Sequence, residues 1–153
     1  MNTIKGIGHA VMYVTDPGAS ADWYADILGM STVIAEPRIP AIFLSFGWRD
    51  HDLALFKAPP GHSLGQQDFN HLAFEFGGDL EGLKAFRRRL VEKGVTITGT
   101  VDHGVSYGIY FLDPDGHQLE MFLQRTPPAE DQHEAFRTVG VKATPIDLDS
   151  ATG

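Results

Sequence analysis

The chain has 153 residues, 42% of them hydrophobic, no cysteine, and a net charge of -8 from 12 basic and 20 acidic side chains. That is enough chain for one well-buried core, and it excludes disulfides and thiolate metal sites. The acid excess argues against nucleic acid, since the one basic cluster, Arg87-Arg88-Arg89, falls within a helix pattern. No run approaches the ~18 apolar residues of a membrane span, and no charged-then-apolar leader opens the chain, so a cytoplasmic protein off the membrane is the expectation.

Residues 4–15 (IKGIGHAVMYVT) read as a strand, with His9, Val11 and Tyr13 on one face and Ala10, Met12 and Val14 on the other. Asp16-Pro17 predicts a helix start, with Asp16 as N-cap and Pro17 at the first helical position. The helix should run to about Leu28, pack Trp23, Ile27 and Leu28 on a sheet, and stop at Gly29. Three short strands follow at 31–36, 41–46 and 52–57, punctuated by Pro37, Pro40 and Gly47. Residues 58–68 (APPGHSLGQQD) read as a linker.

The order then repeats: a strand at 69–76, a helix at 80–93, a strand at 96–101 and a hairpin at 106–123. Asp113-Pro114 and Asp115-Gly116 set the hairpin turn. Ile109, Phe111, Leu119 and Met121 form one face of it; Tyr110, Leu112, Glu120 and Phe122 form the other. His9 and His71 lie 62 positions apart, each near the start of its unit's first strand, and Ala54 occupies in the first unit the place of Glu120 in the second. The fold class predicted is α+β: two paired βαβββ modules, 4–58 and 69–125, forming one cupped mixed sheet with helices on the outer face. The tail, 126–153, reads as a short helix over 130–138 and then an irregular stretch that is surface-packed or frayed.

Glu120 is the anomaly, because a carboxylate within an apolar strand is costly unless paired or metal-bound. By alternation His9, His71 and Glu120 all face away from the helix-packed residues and should converge in the cup. Two imidazoles and one carboxylate there make a facial triad, which suits Fe(II) or Mn(II) and leaves positions open for substrate and O2. His51, His62, His117 and His133 lie in turns or the tail and are expected at the surface.

The motifs Gly8-His9, Asn70-His71-Leu72 and the run from Tyr110 to Glu120 (YFLDPDGHQLE) resemble the vicinal oxygen chelate superfamily over residues 4–124. That superfamily includes extradiol ring-cleaving dioxygenases, glyoxalase I, fosfomycin-resistance transferases and bleomycin-sequestering proteins. Glyoxalase I typically adds a metal-binding Glu where this chain has Ala54, which counts against a lyase. The segment Asp102-His103-Gly104-Val105-Ser106 resembles the loop carrying an acid–base histidine in extradiol dioxygenases. The transferases tend to have cations there for a phosphonate, and 96–124 contains no Lys or Arg.

The resemblance therefore implies a dioxygenase with Fe(II), or Mn(II) or another divalent metal, on His9, His71 and Glu120. His103 would act as base and then acid, helped by the ordinary histidine pKa of about 6.5. Tyr110 would hydrogen-bond the substrate oxygen, and Tyr13, Leu112 and Phe122 would form apolar walls. The partners implied are a small aromatic diol and O2, with the chain a homodimer whose modules pair within a chain or swap between chains. A Mn(II)-dependent thiol transferase, a glyoxalase-like enzyme and a non-catalytic binder of flat aromatic ligands remain alternatives.

Overall fold

The computed structural model describes residues 4, 6–36, 38–65, 69–127 and 131–152. The chain divides into two compact units, Met1–Leu64 and Gly65–Gly153. In the first, β1 (Ala10–Val14), α1 (Pro17–Leu28), β2 (Ser31–Glu36), β3 (Ala41–Ser45) and β4 (Leu53–Lys57) follow one another. The strands lie in the order β1-β4-β3-β2, with β1 parallel to β4 and the other pairs antiparallel.

The ends of α1 are those the sequence predicts. The Asp16 carboxylate accepts from the amides of Gly18 and Ala19, and Gly29 closes the helix at φ 72°, a left-handed conformation that glycine adopts at little cost. The buried face differs from expectation. Ile27 is buried, but Trp23 and Leu28 are only partly covered, and Tyr24 is the aromatic with no exposed surface. Ser20, Tyr24 and Ile27, at i, i+4 and i+7, follow the true helical stripe, which turns Trp23 to the flank. Tyr24 meets Met12, with Val14, Leu44, Leu53 and Leu55 completing this core.

The second unit repeats the plan with β5 (Leu72–Glu75), α2 (Leu80–Glu92), β6 (Ile97–Asp102), β7 (Ser106–Leu112) and β8 (Gln118–Gln124). Asp79 caps α2 as Asp16 caps α1, and β5 runs parallel to β8 as β1 does to β4. Even the irregularities correspond, since the register slips between Thr32 and Ile34 in β2 and between Ile97 and Gly99 in β6. Both first strands begin later than predicted, at Ala10 and Leu72. β4 starts at Leu53, opposite Ala10, so the described residues before Ala10 have no ladder partner in it. His9 and His71 consequently sit just ahead of their strands.

The strands form a four-stranded and a five-stranded mixed sheet, one in each unit. One expectation, the irregular end of the tail, is corrected. The tail is structured: α3 (Gln132–Val139) is followed by β9 (Thr144–Pro145), which pairs antiparallel with β6 as the fifth strand, and by a 3₁₀ turn, Leu148–Ser150. Leu148 has no exposed surface, alongside Leu83, Leu90, Ile109, Phe111 and Leu119 in the second core. Part of the predicted tail helix, Glu130, lies outside the described residues.

Candidate active site

Alternation along β7 and β8 separates core from site. Ile109, Phe111, Leu119 and Met121 are buried, whereas Tyr110, Leu112 and Phe122 on the opposite face are half-buried. Glu120 shares that opposite face yet is only 6% exposed. It pairs across β7 with Tyr110 and across β5 with Ala73. Space for its carboxylate comes from Gly108, where an added β-carbon would run into Glu120. The sequence reading passed over Gly108, although a glycine inside a strand is the usual sign of such a close approach.

Two histidines converge on Glu120. Nε2 of His71 lies 3.1 Å from Oε2, and Nε2 of His103 lies 3.5 Å from Oε1. Each ring is fixed from behind by an oxygen that can only accept. Nδ1 of His71 donates to Asn70 Oδ1 at 2.7 Å, and Nδ1 of His103 donates to the carbonyl of Lys142. A ring that carries its single proton on Nδ1 leaves Nε2 bare, and in both residues Nε2 is the nitrogen turned to the site. Tyr110 joins them, its hydroxyl 3.0 Å from His103 Nε2 and its ring 5.2 Å, edge-on, from that of His71. Burial first, and then the charge of Glu120, push the Tyr110 phenol well above its ordinary range, so it remains an O–H donor.

The first unit presents its own group on the face away from α1. His9 is exposed, with its ring centroid 4.3 Å from that of His51, and Phe43 stands edge-on to His51 at 5.3 Å. Tyr13 is 45% exposed and stands edge-on to His62 at 4.6 Å. His51, expected at the surface, is a half-buried member of this group, with Nδ1 3.2 Å from Asp50 Oδ2. His117 is also corrected from surface to interior. Its side chain is 5% exposed and bonds through Nδ1 to the fully buried carboxylate of Asp113 at 2.8 Å, clasping the hairpin turn. His62 and His133 are exposed, as expected.

Among the described residues, no three His, Asp or Glu side chains stand together as a group that could hold a metal. The chemistry of the His71–Glu120 pair nevertheless fits one. A bare imidazole nitrogen and a carboxylate oxygen 3.1 Å apart are two acceptors, and need a proton or cation to hold them there. Metal bonds of about 2.0–2.2 Å put neighbouring ligand atoms about 3 Å apart. The Asn70 bond behind His71 is of the kind that fixes a ring for metal ligation.

Comparison with known proteins places the chain, by similarity alone, near a dioxygenase, a glutathione transferase and a fosfomycin resistance protein. The chain is 28% identical to biphenyl-2,3-diol 1,2-dioxygenase 3 of Rhodococcus globerulus, across 99% of this chain and 84% of that one. It is 32% identical to glutathione transferase FosA of Serratia marcescens, across 78% of this chain and 82% of that one. In fold it resembles the fosfomycin resistance protein FosX from Listeria monocytogenes, solved with Mn(II) and sulfate. The TM-score there is 0.67 at 19% identity, covering 90% of this chain and 100% of that one. With residues 6–121 matching the family as a whole, the chain belongs to the Glyoxalase/Bleomycin resistance protein/Dioxygenase superfamily.

Proposed function

We propose that this chain is an extradiol-type dioxygenase that opens a catechol-like ring with O2, using a divalent metal, Fe(II), held by His9, His71 and Glu120. His9 comes from the first unit, of this chain or of a second copy. The observation that carries the reading is the paired His103 Nε2 and Tyr110 hydroxyl beside Glu120. Opening a diol needs one group to take a proton and another to hold the oxygen left behind, and this pair offers both.

When bound, the metal supplies Lewis acidity, redox capacity and a template for two adjacent oxygens. The protein's own side chains do the rest. Nε2 of His103 takes a hydroxyl proton from the diol and later returns one to the opening ring. The Tyr110 O–H donates to the substrate oxygen, a role its raised pKa preserves. Leu112 and Phe122 limit water on the second unit's side, and Tyr13 is the proposed wall from the first. The 28% identity to a biphenyl-diol dioxygenase across nearly the whole chain supports this assignment.

The test is oxygen uptake by Fe(II)-loaded protein with catechol and 2,3-dihydroxybiphenyl, followed with the yellow absorbance of a ring-opened product. A protein that takes up Fe(II) but consumes no oxygen with either diol would overturn the reading. The second reading, a Mn(II)-dependent thiol transferase, is favoured by the 32% identity to FosA. One spatial finding bears on it. Although residues 96–124 lack Lys and Arg, the tail brings Lys142 against Gly104 beside His103, so the loop is not remote from every cation. Glutathione consumption with fosfomycin and Mn(II) separates the two.

A further inference from the structure

The proposed chemistry uses nothing after residue 124, and the family match ends at 121. Yet the C-terminal segment is bound to the His103 loop more closely than a mere cover would need. We propose that this segment is a positioning element of the site: the Lys142 carbonyl holds His103 in the Nδ1–H tautomer, which turns a bare Nε2 toward Tyr110. The inference rests on the reading of His103 as a site residue, and its geometry stands on bonds within the second unit.

A carbonyl oxygen only accepts, so the bond from His103 Nδ1 decides which ring nitrogen carries the proton. Without that acceptor the proton is free to move to Nε2. Nε2 would then be a donor facing the Tyr110 hydroxyl, and could no longer accept a proton from a substrate. The carbonyl is held in place on both sides. Just after it, β9 pairs Thr144 with Asp102 and Pro145 with Val101, the two residues that lead into His103. Thr100 and Ile146 then exchange bonds, the Ile146 amide donating to the Thr100 carbonyl and the Thr100 hydroxyl to the Ile146 carbonyl.

Beyond that, Leu148 is sunk in the core, and the Thr152 carbonyl accepts from the Tyr107 hydroxyl at 3.1 Å. Before it, Val139 packs on Gly104 so closely that any side chain at 104 would collide with it. From the loop's other side, Arg125 donates to the Gly104 carbonyl at 3.3 Å and stacks over Tyr107. The loop therefore sits between an arginine and the tail, and the tail supplies the acceptor for His103 Nδ1.

The experiment is long-range ¹H–¹⁵N correlation on metal-free, ¹⁵N-histidine-labelled protein at a pH of about 8.5, about two units above the ordinary histidine value of about 6.5. His103 is assigned from the signals that His103→Gln loses. The full chain should show a protonated Nδ1 and a bare Nε2. A chain ending at Gly140 should show Nε2–H or an average of both forms. Because Leu148 is a core residue, a second variant replaces the Lys142–Ala143 amide with an ester through a ligated synthetic tail. This weakens the acceptor while keeping every side chain, and should shift the tautomer in the same direction.

An Nε2–H signal in the full chain overturns the proposal, as does an unchanged tautomer in the ester variant. If the shortened chain fails to fold, the ester variant decides. Activity is a separate readout. A tautomer that behaves as expected in a protein that consumes no oxygen leaves the tail's role standing and removes the dioxygenase reading.

Discussion

At the scale of single residues, Glu120 concentrates the cost and the use of the site. A carboxylate 6% exposed within a β-strand is held at a desolvation penalty that a cation would offset. Glu120→Ala should lower divalent-metal affinity by roughly 100-fold or more, while the metal-free protein melts no lower than its parent. Calorimetric titration with Mn(II) and a thermal melt check both halves; equal metal uptake would remove Glu120 from the ligand set. Gly108→Ala tests the same carboxylate without replacing it, since the new methyl displaces the Glu120 oxygen. Metal affinity should fall about 10- to 100-fold, as when an outer support is lost, and an unchanged titration would show that the carboxylate has room to move. His103→Gln should leave metal uptake intact and reduce ring cleavage by about 10²- to 10⁴-fold. Stopped-flow product absorbance gives the ratio, and parental rates would make His103 a bystander.

At the scale of elements, the 3₁₀ turn that anchors the tail should respond to pH. Asp147 accepts from the Ser150 hydroxyl at 2.8 Å and from the Asp149 amide at 3.1 Å, and the Ser150 bond above all holds its carboxyl below the ordinary 3.8. A depressed folded-state pKa gives stability that is present above the unfolded value and lost as pH falls through the folded one. Protection of the amides near Leu148 should therefore weaken below about pH 4 while α2 amides keep theirs. Asp147→Asn should flatten that pH dependence. Hydrogen exchange read by mass spectrometry over that range is the check, and a tail that loosens in step with α2 would point to global acid unfolding instead.

At the scale of the molecule, the proposed ligands are divided unequally, with His9 in the first unit and His71 and Glu120 in the second. A fragment of residues 65–153 should retain weak Mn(II) binding through its pair, and residues 1–64 should retain none. Electron paramagnetic resonance of free against bound Mn(II) measures this. Binding by the second fragment as tight as that of the whole chain would exclude His9 from the site. The edge strands β1 and β5, each paired on one side only within its sheet, lead us to expect a dimer. Sedimentation at micromolar concentration is the check, and a monomer would count against exchange of modules between chains.

The sequence by itself determined what nearest neighbours and periodicity control. Asp16-Pro17 and Gly29 bound α1, and alternation separated Ile109 and Phe111 from Tyr110 and Glu120. The two copies of βαβββ follow from the same local signals, because caps, turns and strand faces are settled by residues a few positions apart. Tertiary structure alone decided where the chain crosses itself. It chose Tyr24 over Trp23 for the core, drew His51 against His9, and buried His117 on Asp113. It also carried the tail back to β6, where Lys142 meets His103 across 39 residues. A backbone carbonyl has no sequence signature, so which one a histidine finds depends on the path of the chain.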